Sequence, residues 1–279
     1  MANEIEKGAL YVVGTPIGNL SDITERAKSV LSQVDFVAAE DTRVSGKLLS
    51  VLGIKNNFVS YHEHNKAQAG GAIVEKLQSG MTGAIVTDAG IPAISDPGED
   101  LVRLCKENGI KVIPIPGACA FVTALSASGM DSRRFTFEGF LPADKKERAE
   151  VLDLYRNDKR TVIFYEAPHR LVKTLEAMYE AFGDREICLA RELTKLNEEI
   201  VRTSFSEALG MYKTKEPRGE YVVIVGGAKE DAEGCFFENM TVEEHVDFYE
   251  KQGMKRMDAI KACAKDRGVS KNEVYKHFI

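Results

Sequence analysis

The sequence predicts an α/β fold, two α/β domains followed by a helical tail, and three observations carry that expectation. Short, continuously apolar runs recur at Leu10-Tyr11-Val12-Val13, Ala84-Ile85-Val86-Thr87 and Val112-Ile113-Pro114-Ile115, and they read as parallel strands buried on both faces. Helical segments alternate with these runs. Gly/Pro-rich turns sit against such runs: Gly14-Thr15-Pro16-Ile17-Gly18-Asn19, Asp88-Ala89-Gly90-Ile91-Pro92, Pro116-Gly117-Ala118-Cys119-Ala120 and, just before Tyr221, Pro217-Arg218-Gly219-Glu220.

The elements follow in order. After Leu10–Val13 comes a helix from Asp22 to Gln33, with Asp22 as its cap and Glu25 three residues on. A second apolar run, Phe36-Val37-Ala38-Ala39, precedes Asp41. A helix from Gly98 to Asn108, closed by Gly109, joins Ala84–Thr87 to Val112–Ile115. Beyond Cys119 to Ser128 the pattern restarts, with strands at Phe135–Phe140, Thr161–Tyr165, Ile187–Ala190 and Tyr221–Val225 and a helix Leu171–Phe182 closed by Gly183. Residues 8–120 and 121–227 are therefore the two α/β domains, with a cofactor cleft between them, and 228–279 the helical tail. In the tail, Thr241 caps Val242-Glu243-Glu244; Met254 to Arg267, Gly268 and Ser270 to Phe278 then read as helix, turn and capped helix.

Composition sets bounds. A chain of 279 residues is long enough for two domains with real cores. No apolar run reaches membrane-spanning length, and Met1-Ala2-Asn3-Glu4 lacks the pattern of a signal peptide, which predicts a cytoplasmic protein with no membrane partner. Cys105, Cys119, Cys188, Cys235 and Cys263 are widely spaced and odd in number, which argues against a disulfide framework or zinc site. His62 and His64 lack a third ligand cluster and read as a polar loop or a substrate contact, so no metal is expected.

The turns are where backbone can approach a ligand, and in open α/β sheets ligands sit outside the carboxyl ends of the strands. Alone, each turn is an ordinary tight connection; four together mark a site. The chain has no Gly-x4-Gly-Lys-Ser/Thr run, which sets nucleoside triphosphate hydrolysis aside. Asp41 lies about where a ribose-binding acid follows a dinucleotide fingerprint, but Gly14 and Gly18 have the wrong spacing. Pro16 and Pro92 further disfavour a pyrophosphate cradle.

Leu10-Tyr11-Val12-Val13-Gly14-Thr15-Pro16-Ile17-Gly18-Asn19-Leu20, Ala39-Glu40-Asp41-Thr42-Arg43, Asp88-Ala89-Gly90-Ile91-Pro92 and Ser95-Asp96-Pro97-Gly98 together resemble the tetrapyrrole-methylase superfamily. Phe164-Tyr165-Glu166-Ala167-Pro168-His169-Arg170 and Ala190-Arg191-Glu192-Leu193-Thr194-Lys195 are similar to the ribosomal RNA small-subunit methyltransferase I family. That resemblance covers roughly residues 8 to 227, with tail similarity beyond. It implies methyl transfer from S-adenosylmethionine to a cytidine ribose 2′-hydroxyl in the decoding region of 16S rRNA, by a homodimer. One departure is Ile91, where the family pattern has threonine; a backbone contact there survives the change.

Mapped onto this chain, the resemblance implies that the cofactor is held between the domains by Pro16, Gly90, Ile91, Ile94, Pro116, Gly117, Ala118 and Cys119, with Tyr165, Arg191, Leu193 and Glu220 from the second domain. The cofactor supplies the electrophile, so the protein needs alignment and a group to receive or offset the hydroxyl proton. Asp41, Arg43, Asp88 and Glu192 are the candidates, and each also fits a cap or an ion pair. Net charge is −6, yet Lys251 to Ile279 carries eight Lys/Arg against three Asp/Glu. Ala259, Ile260, Cys263 and Ala264 form an apolar stripe against Val269, Val274 and Phe278, which leaves Lys261, Lys265, Arg267, Lys271 and Lys276 exposed as a candidate RNA grip. Arg133-Arg134 and Lys145-Lys146-Glu147-Arg148 extend that basic track or are ordinary surface. The substrate would be 16S rRNA or the assembled small subunit. Two alternatives stand beside this reading: methylation of a tetrapyrrole or other small molecule, and a ligand-sensing nucleic-acid-binding regulator.

Overall fold

The computed structural model describes residues 5–228, 237 and 240–278, and it divides into two compact units, Met1–Ala228 and Lys229–Ile279. The first unit contains two sheets. Strands β1 (Leu10–Val13), β2 (Phe36–Ala39), β3 (Phe58–Ser60), β4 (Gly83–Val86) and β5 (Val112–Ile115) form an all-parallel sheet of order β3-β2-β4-β1-β5. Helices α1 (Glu25–Gln33), α2 (Thr42–Val51), α3 (Lys66–Gln78) and α4 (Gly98–Glu107) connect the strands. Apolar side chains on the two sides of this sheet enter separate clusters, one around Val30, Leu31 and Leu49 and one around Ile73, Leu77 and Leu101. Covering both faces explains why the strands read as continuous apolar runs rather than as alternating ones. Pro114 is tolerated because β5 is an edge strand, where a missing N–H breaks no second ladder.

The second sheet comprises β6 (Phe135–Phe140), β7 (Thr161–Glu166), β8 (Glu186–Arg191), β9 (Glu199–Ser204) and β10 (Tyr221–Val225) in the order β6-β7-β10-β8-β9. Only β6 and β7 are parallel; the other neighbours are antiparallel. Helices α6 (Lys145–Leu154), α7 (Pro168–Phe182) and α8 (Phe205–Tyr212) pack on one face around the fully buried Phe164 and Phe205. Helix α5 (Ala120–Ser128) packs on the other face against Ile163, Cys188 and Ile224. Burying each of those phenylalanines is worth about 1.5–3 kcal/mol.

Several local expectations shift. Helix α1 starts after Thr24, whose hydroxyl accepts from Ala27 N at 3.0 Å, while Asp22 lies in a 3₁₀ turn and is not the cap. Strands β3 and β9 were not anticipated: both are edges, β3 has three residues and β9 carries Glu199 and Arg202.

The second unit holds α9 (Val242–Lys251), α10 (Arg256–Asp266), α11 (Lys271–Tyr275) and a closing 3₁₀ turn, Lys276–Phe278. Thr241 and Ser270 cap α9 and α11 with reciprocal bonds to Glu244 and Glu273. Val246, Ala259, Ile260, Cys263, Ala264 and Val274 form the core, with Phe278 partly buried against it. Val269 is 41% exposed and stands outside that stripe. Arg267 also departs from expectation: it is not an exposed cation. Its guanidinium donates to the carbonyls of Met240 (2.6 Å), Thr241 (3.1 Å) and Phe237 (3.2 Å) and to Nδ1 of His245 (3.1 Å). His245 is fully buried and stacks on the Phe237 ring; burial and the adjacent guanidinium hold its pKa below the ordinary value, so it stays a neutral acceptor. Cys235 lies outside the described residues.

Arg267 therefore staples the start of α9 to the end of α10. Arg267→Ala is expected to destabilise the tail by about 2–3 kcal/mol, since bonds from a charged donor are removed and carbonyls are left unpaired. Amide exchange across α9 and α10 measures this, and Lys265→Glu is expected to leave it unchanged.

Candidate functional site

Three of the Gly/Pro turns converge at the carboxyl ends of β1, β4 and β5. The backbones at Gly14 and Gly117 cross so closely that a Cβ built on Gly117 would lie 2.7 Å from Gly14 Cα, and one on Gly14 would lie 2.8 Å from Gly117 Cα. Neither side can yield, because the obstacle is main chain. Thr15 and Gly90 then exchange backbone bonds, Thr15 N to Gly90 O at 2.8 Å and Gly90 N to Thr15 O at 3.2 Å. The Thr15 hydroxyl, fully buried, adds bonds to the carbonyls of Thr87 and Gly90.

The fourth turn closes the site from the second sheet. Glu192, just past β8, donates its N–H to Glu220 O at 3.1 Å, and its carboxylate accepts from Glu220 N at 3.3 Å. Lys195 joins this knot, with Nζ 2.9 Å from Glu192 Oε1 and 3.5 Å from Glu220 Oε2. Asn19 N donates to the Thr194 hydroxyl at 3.0 Å, tying the first turn to the same loop. Among the described residues, the non-glycine positions with left-handed backbone are Ala93, Ser95, Glu192 and Thr194, and they fall in two loops beside one cavity. Strain of about 1–3 kcal/mol per residue collects where a ligand is to be met. Asp96 holds the first loop in shape, accepting from Ala93 N (2.9 Å) and Gly98 N (2.8 Å).

The cavity has a volume of about 370 Å³, within the usual range of roughly 300–1,000 Å³ for small-molecule sites. Its lining includes the expected Gly90, Ile91, Ile94, Cys119, Tyr165, Glu192, Leu193 and Glu220. Pro16, Pro116, Gly117, Ala118 and Arg191 are not among the lining residues; the first four belong to the converging turns, and the Arg191 side chain pairs with Glu199 on β9 at 2.5 Å. Asp41, Arg43 and Asp88 also do not line it. Asp41 caps α2 through Arg43 N (2.8 Å) and is gripped by the Arg43 guanidinium at 3.0 and 2.7 Å, which drives its pKa far below the ordinary carboxylate range. The tail cations Lys261, Lys265, Lys271 and Lys276 are exposed in the second unit, where Lys261 pairs with Asp258.

Glu40, Lys195, Phe140 and Glu166 line the cavity and were not singled out from the sequence. Glu40 could have been found, because it directly follows the buried strand β2, next to the Asp41 that drew notice. Its pKa is raised, first by burial and then by the charges of Asp88 and Asp96, with the Thr87 hydroxyl partly offsetting this. Asp88 is raised too, mainly by burial and opposed by a bond from Asp41 N. Glu192 is held low by Lys195. Tyr165 is pushed up to about 12, mainly by burial. Its hydroxyl oxygen accepts from Phe121 N at 3.2 Å, and burial keeps the phenol protonated. Among the described residues, no group of three or more His, Cys, Asp or Glu side chains could hold a metal ion, and no helix is long and apolar enough to cross a membrane.

Residues 9–209 match the family model for tetrapyrrole (corrin/porphyrin) methylases. The chain is 48% identical to the ribosomal RNA small subunit methyltransferase I of Bacillus subtilis, over 98% of this chain and 94% of the relative. It is 45% identical to the protein of the same name from Escherichia coli O157:H7, over 98% and 95%. Among solved structures, uroporphyrin-III-C-methyltransferase from Thermus thermophilus superposes with a TM-score of 0.57 at 19% identity, covering 79% of this chain and 95% of that one. A cobalt precorrin-4 methyltransferase does so at 0.55 and 19%, covering 78% and 95%. These two share the fold.

Two outcomes follow from the site's physics. Gly117→Ala is expected to cost about 1–3 kcal/mol through overpacking against the Gly14 main chain, read as a lower denaturation midpoint. A carboxyl whose folded pKa is raised is penalised when ionised; that penalty is absent below its unfolded pKa, appears as pH climbs from about 4.5, and persists above the folded pKa. Glu40→Gln is therefore expected to raise Tm at pH 7 and to change it little near pH 4.

Proposed function

Because this chain belongs to the tetrapyrrole (corrin/porphyrin) methylase family, we propose that it methylates the ribosomal RNA of the small subunit, at the ribose 2′-hydroxyl of a cytidine in the decoding region of 16S rRNA. S-adenosylmethionine is the methyl donor. The observation that carries the reading is extent: likeness to the ribosomal RNA methyltransferases continues beyond residue 209, where the family domain ends, into the basic tail. A tetrapyrrole acceptor gives that tail no task.

The cavity fits the donor. Its volume suits a nucleoside-sized ligand, and its walls combine apolar Ile91, Leu193 and Val222 with small Ala89, Ala120 and Ala190 and with the backbone of Gly90. We assign Gly90, Ile91, Ile94, Cys119, Tyr165, Leu193 and Glu220 to holding it, with Pro16, Pro116, Gly117 and Ala118 shaping the turns behind them. When bound, the donor supplies an electrophilic methyl group on a sulfonium. The chain's part is to align the acceptor oxygen and to receive its proton. Glu40 is the proton acceptor in this assignment, because it faces the cavity and its raised pKa brings it closer to the working pH. Asp88 stands behind it and keeps it protonatable. Glu192 and Lys195 hold the loops closed, and Asp41 with Arg43 fixes the start of α2. Lys261, Lys265, Lys271 and Lys276 serve as phosphate contacts. A cytoplasmic location and a homodimeric state accompany this reading.

The test is methyl transfer from labelled S-adenosylmethionine to small subunits isolated from a strain lacking the protein, with the label located by nuclease mapping. Label on a decoding-region cytidine ribose is expected. Cofactor binding without label on the subunit would move the assignment to a small-molecule acceptor. Lys265→Glu with Lys271→Glu is expected to reduce the salt slope of subunit binding by about 1 for each phosphate that is no longer neutralised.

A further inference from the structure

Phe140 closes strand β6 at the mouth of the cavity, 55% exposed, although it faces the same side of the sheet as the partly buried Phe137 and Tyr165. A β-bulge puts it there. The pairing runs Phe137↔Ile163, then Gly139↔Phe164 and Phe140↔Tyr165, so one extra residue, Glu138, is inserted. Without the bulge, strict alternation would turn Phe140 away from Phe137, into the opposite face. Glu138 points to that opposite face and accepts from the Tyr155 hydroxyl. Gly139 makes the bulge with φ +81°, and a Cβ there would meet the Ser95 hydroxyl at 3.1 Å. The bulge is thus seated against the strained loop of the first sheet.

The segment just after Phe140 is clamped. Arg170 donates to Leu141 O at 2.6 Å and pairs with buried Glu166 at 3.3 Å; Glu166 is in turn bound by the Thr174 hydroxyl at 2.5 Å and by Ala167 N at 2.8 Å. Arg148 donates to Ala143 O at 3.0 Å. Within the Tyr165-Glu166-Ala167-Pro168-His169-Arg170 stretch, Glu166 and Arg170 therefore fix the backbone that presents one ring. The Phe140 ring packs on Tyr165 along one side, with centroids 5.5 Å apart, and leaves the rest to solvent. A rigid aromatic face of this kind, at the entrance to a cavity that must admit one nucleotide, suits an unstacked base, whose flat surface gains about as much from an aromatic ring as from its neighbours.

We infer that Phe140 is the stacking platform for the base of the acceptor nucleotide. This rests on the ribosomal RNA reading above. The ring replaces the stacking that the base loses when it leaves its strand, and it sets how deep the ribose enters.

The experiment compares Phe140→Ala, Phe140→Leu and Phe140→Trp in methylation of unmodified small subunits, with the dissociation constant for S-adenosylmethionine measured separately by calorimetry. Phe140→Ala is expected to raise KM for the subunit about tenfold or more, equivalent to ~1.4 kcal/mol, with cofactor affinity within about twofold of the parent value. Phe140→Trp is expected to restore KM and Phe140→Leu is not, because only a ring stacks. A parallel loss of cofactor affinity, rescue by leucine equal to that by tryptophan, an unchanged KM in Phe140→Ala, or a shift in oligomeric state of Phe140→Ala each overturns the inference. A parent enzyme that binds S-adenosylmethionine but methylates no subunit overturns the ribosomal RNA reading and this inference with it. A parent that methylates while Phe140→Ala matches it overturns only this inference.

Discussion

The crossing of two main chains at Gly14 and Gly117 is the contact on which the rest of the site depends. With a Cβ at either position under 3 Å from the other's Cα, the ends of β1 and β5 approach as closely as two backbones can. That approach lets Thr15 bridge to Gly90 and gathers turns from three strands into one wall. A side chain there would push β5 and the Cys119–Ala120 entry to α5 away from β1. The Cys119 side of the cavity would then separate from the Gly90 side, although both sheets could remain intact.

The second sheet meets this wall through polar contacts. Asn19 N reaches Thr194, and Lys195 stands between Glu192 and Glu220. The Glu192–Lys195 pair is partly exposed, and pairs of that kind add little to stability. Their role here is geometric: they hold Glu192 and Thr194 in left-handed conformations that cost energy and that a closed cleft requires. Across the cavity the electrostatics reverse. Glu40 and Asp96 line the first sheet's side, and burial, followed by the charges of Asp88 and Asp96, raises the Glu40 pKa. The cavity thus carries one carboxylate held low by a lysine, Glu192, and one whose pKa is raised, Glu40.

The parallel strands were legible because burial on both faces leaves an unbroken apolar run, as in Leu10–Val13 and Phe36–Ala39. The edge strands were not: three residues at Phe58–Ser60 and the charged Glu199–Ser204 carry no such signal. The turns announced themselves through glycine and proline, so much of the cavity lining was readable. Lys195 became visible only when strands far apart in sequence were placed side by side, whereas Glu40, directly after β2, was passed over beside Asp41. Phe140 was placed at the end of its strand but on the wrong face by alternation, because one inserted residue reverses the pattern by which a strand is read. Arg267 misled for a related reason: helical periodicity puts it on the surface, but its partners are carbonyls of the segment before α9, which periodicity does not see.

The cavity between the turns and the second sheet is the proposed seat of S-adenosylmethionine. Calorimetric titration of the cofactor into the protein and into an Ala120→Phe variant tests it most directly, since Ala120 lines the cavity at the first residue of α5. One site per chain in the parent, and at least a hundredfold weaker binding in a variant whose circular dichroism is unchanged, is the predicted result. Equal affinity in the two proteins would place the cofactor elsewhere and contradict the account.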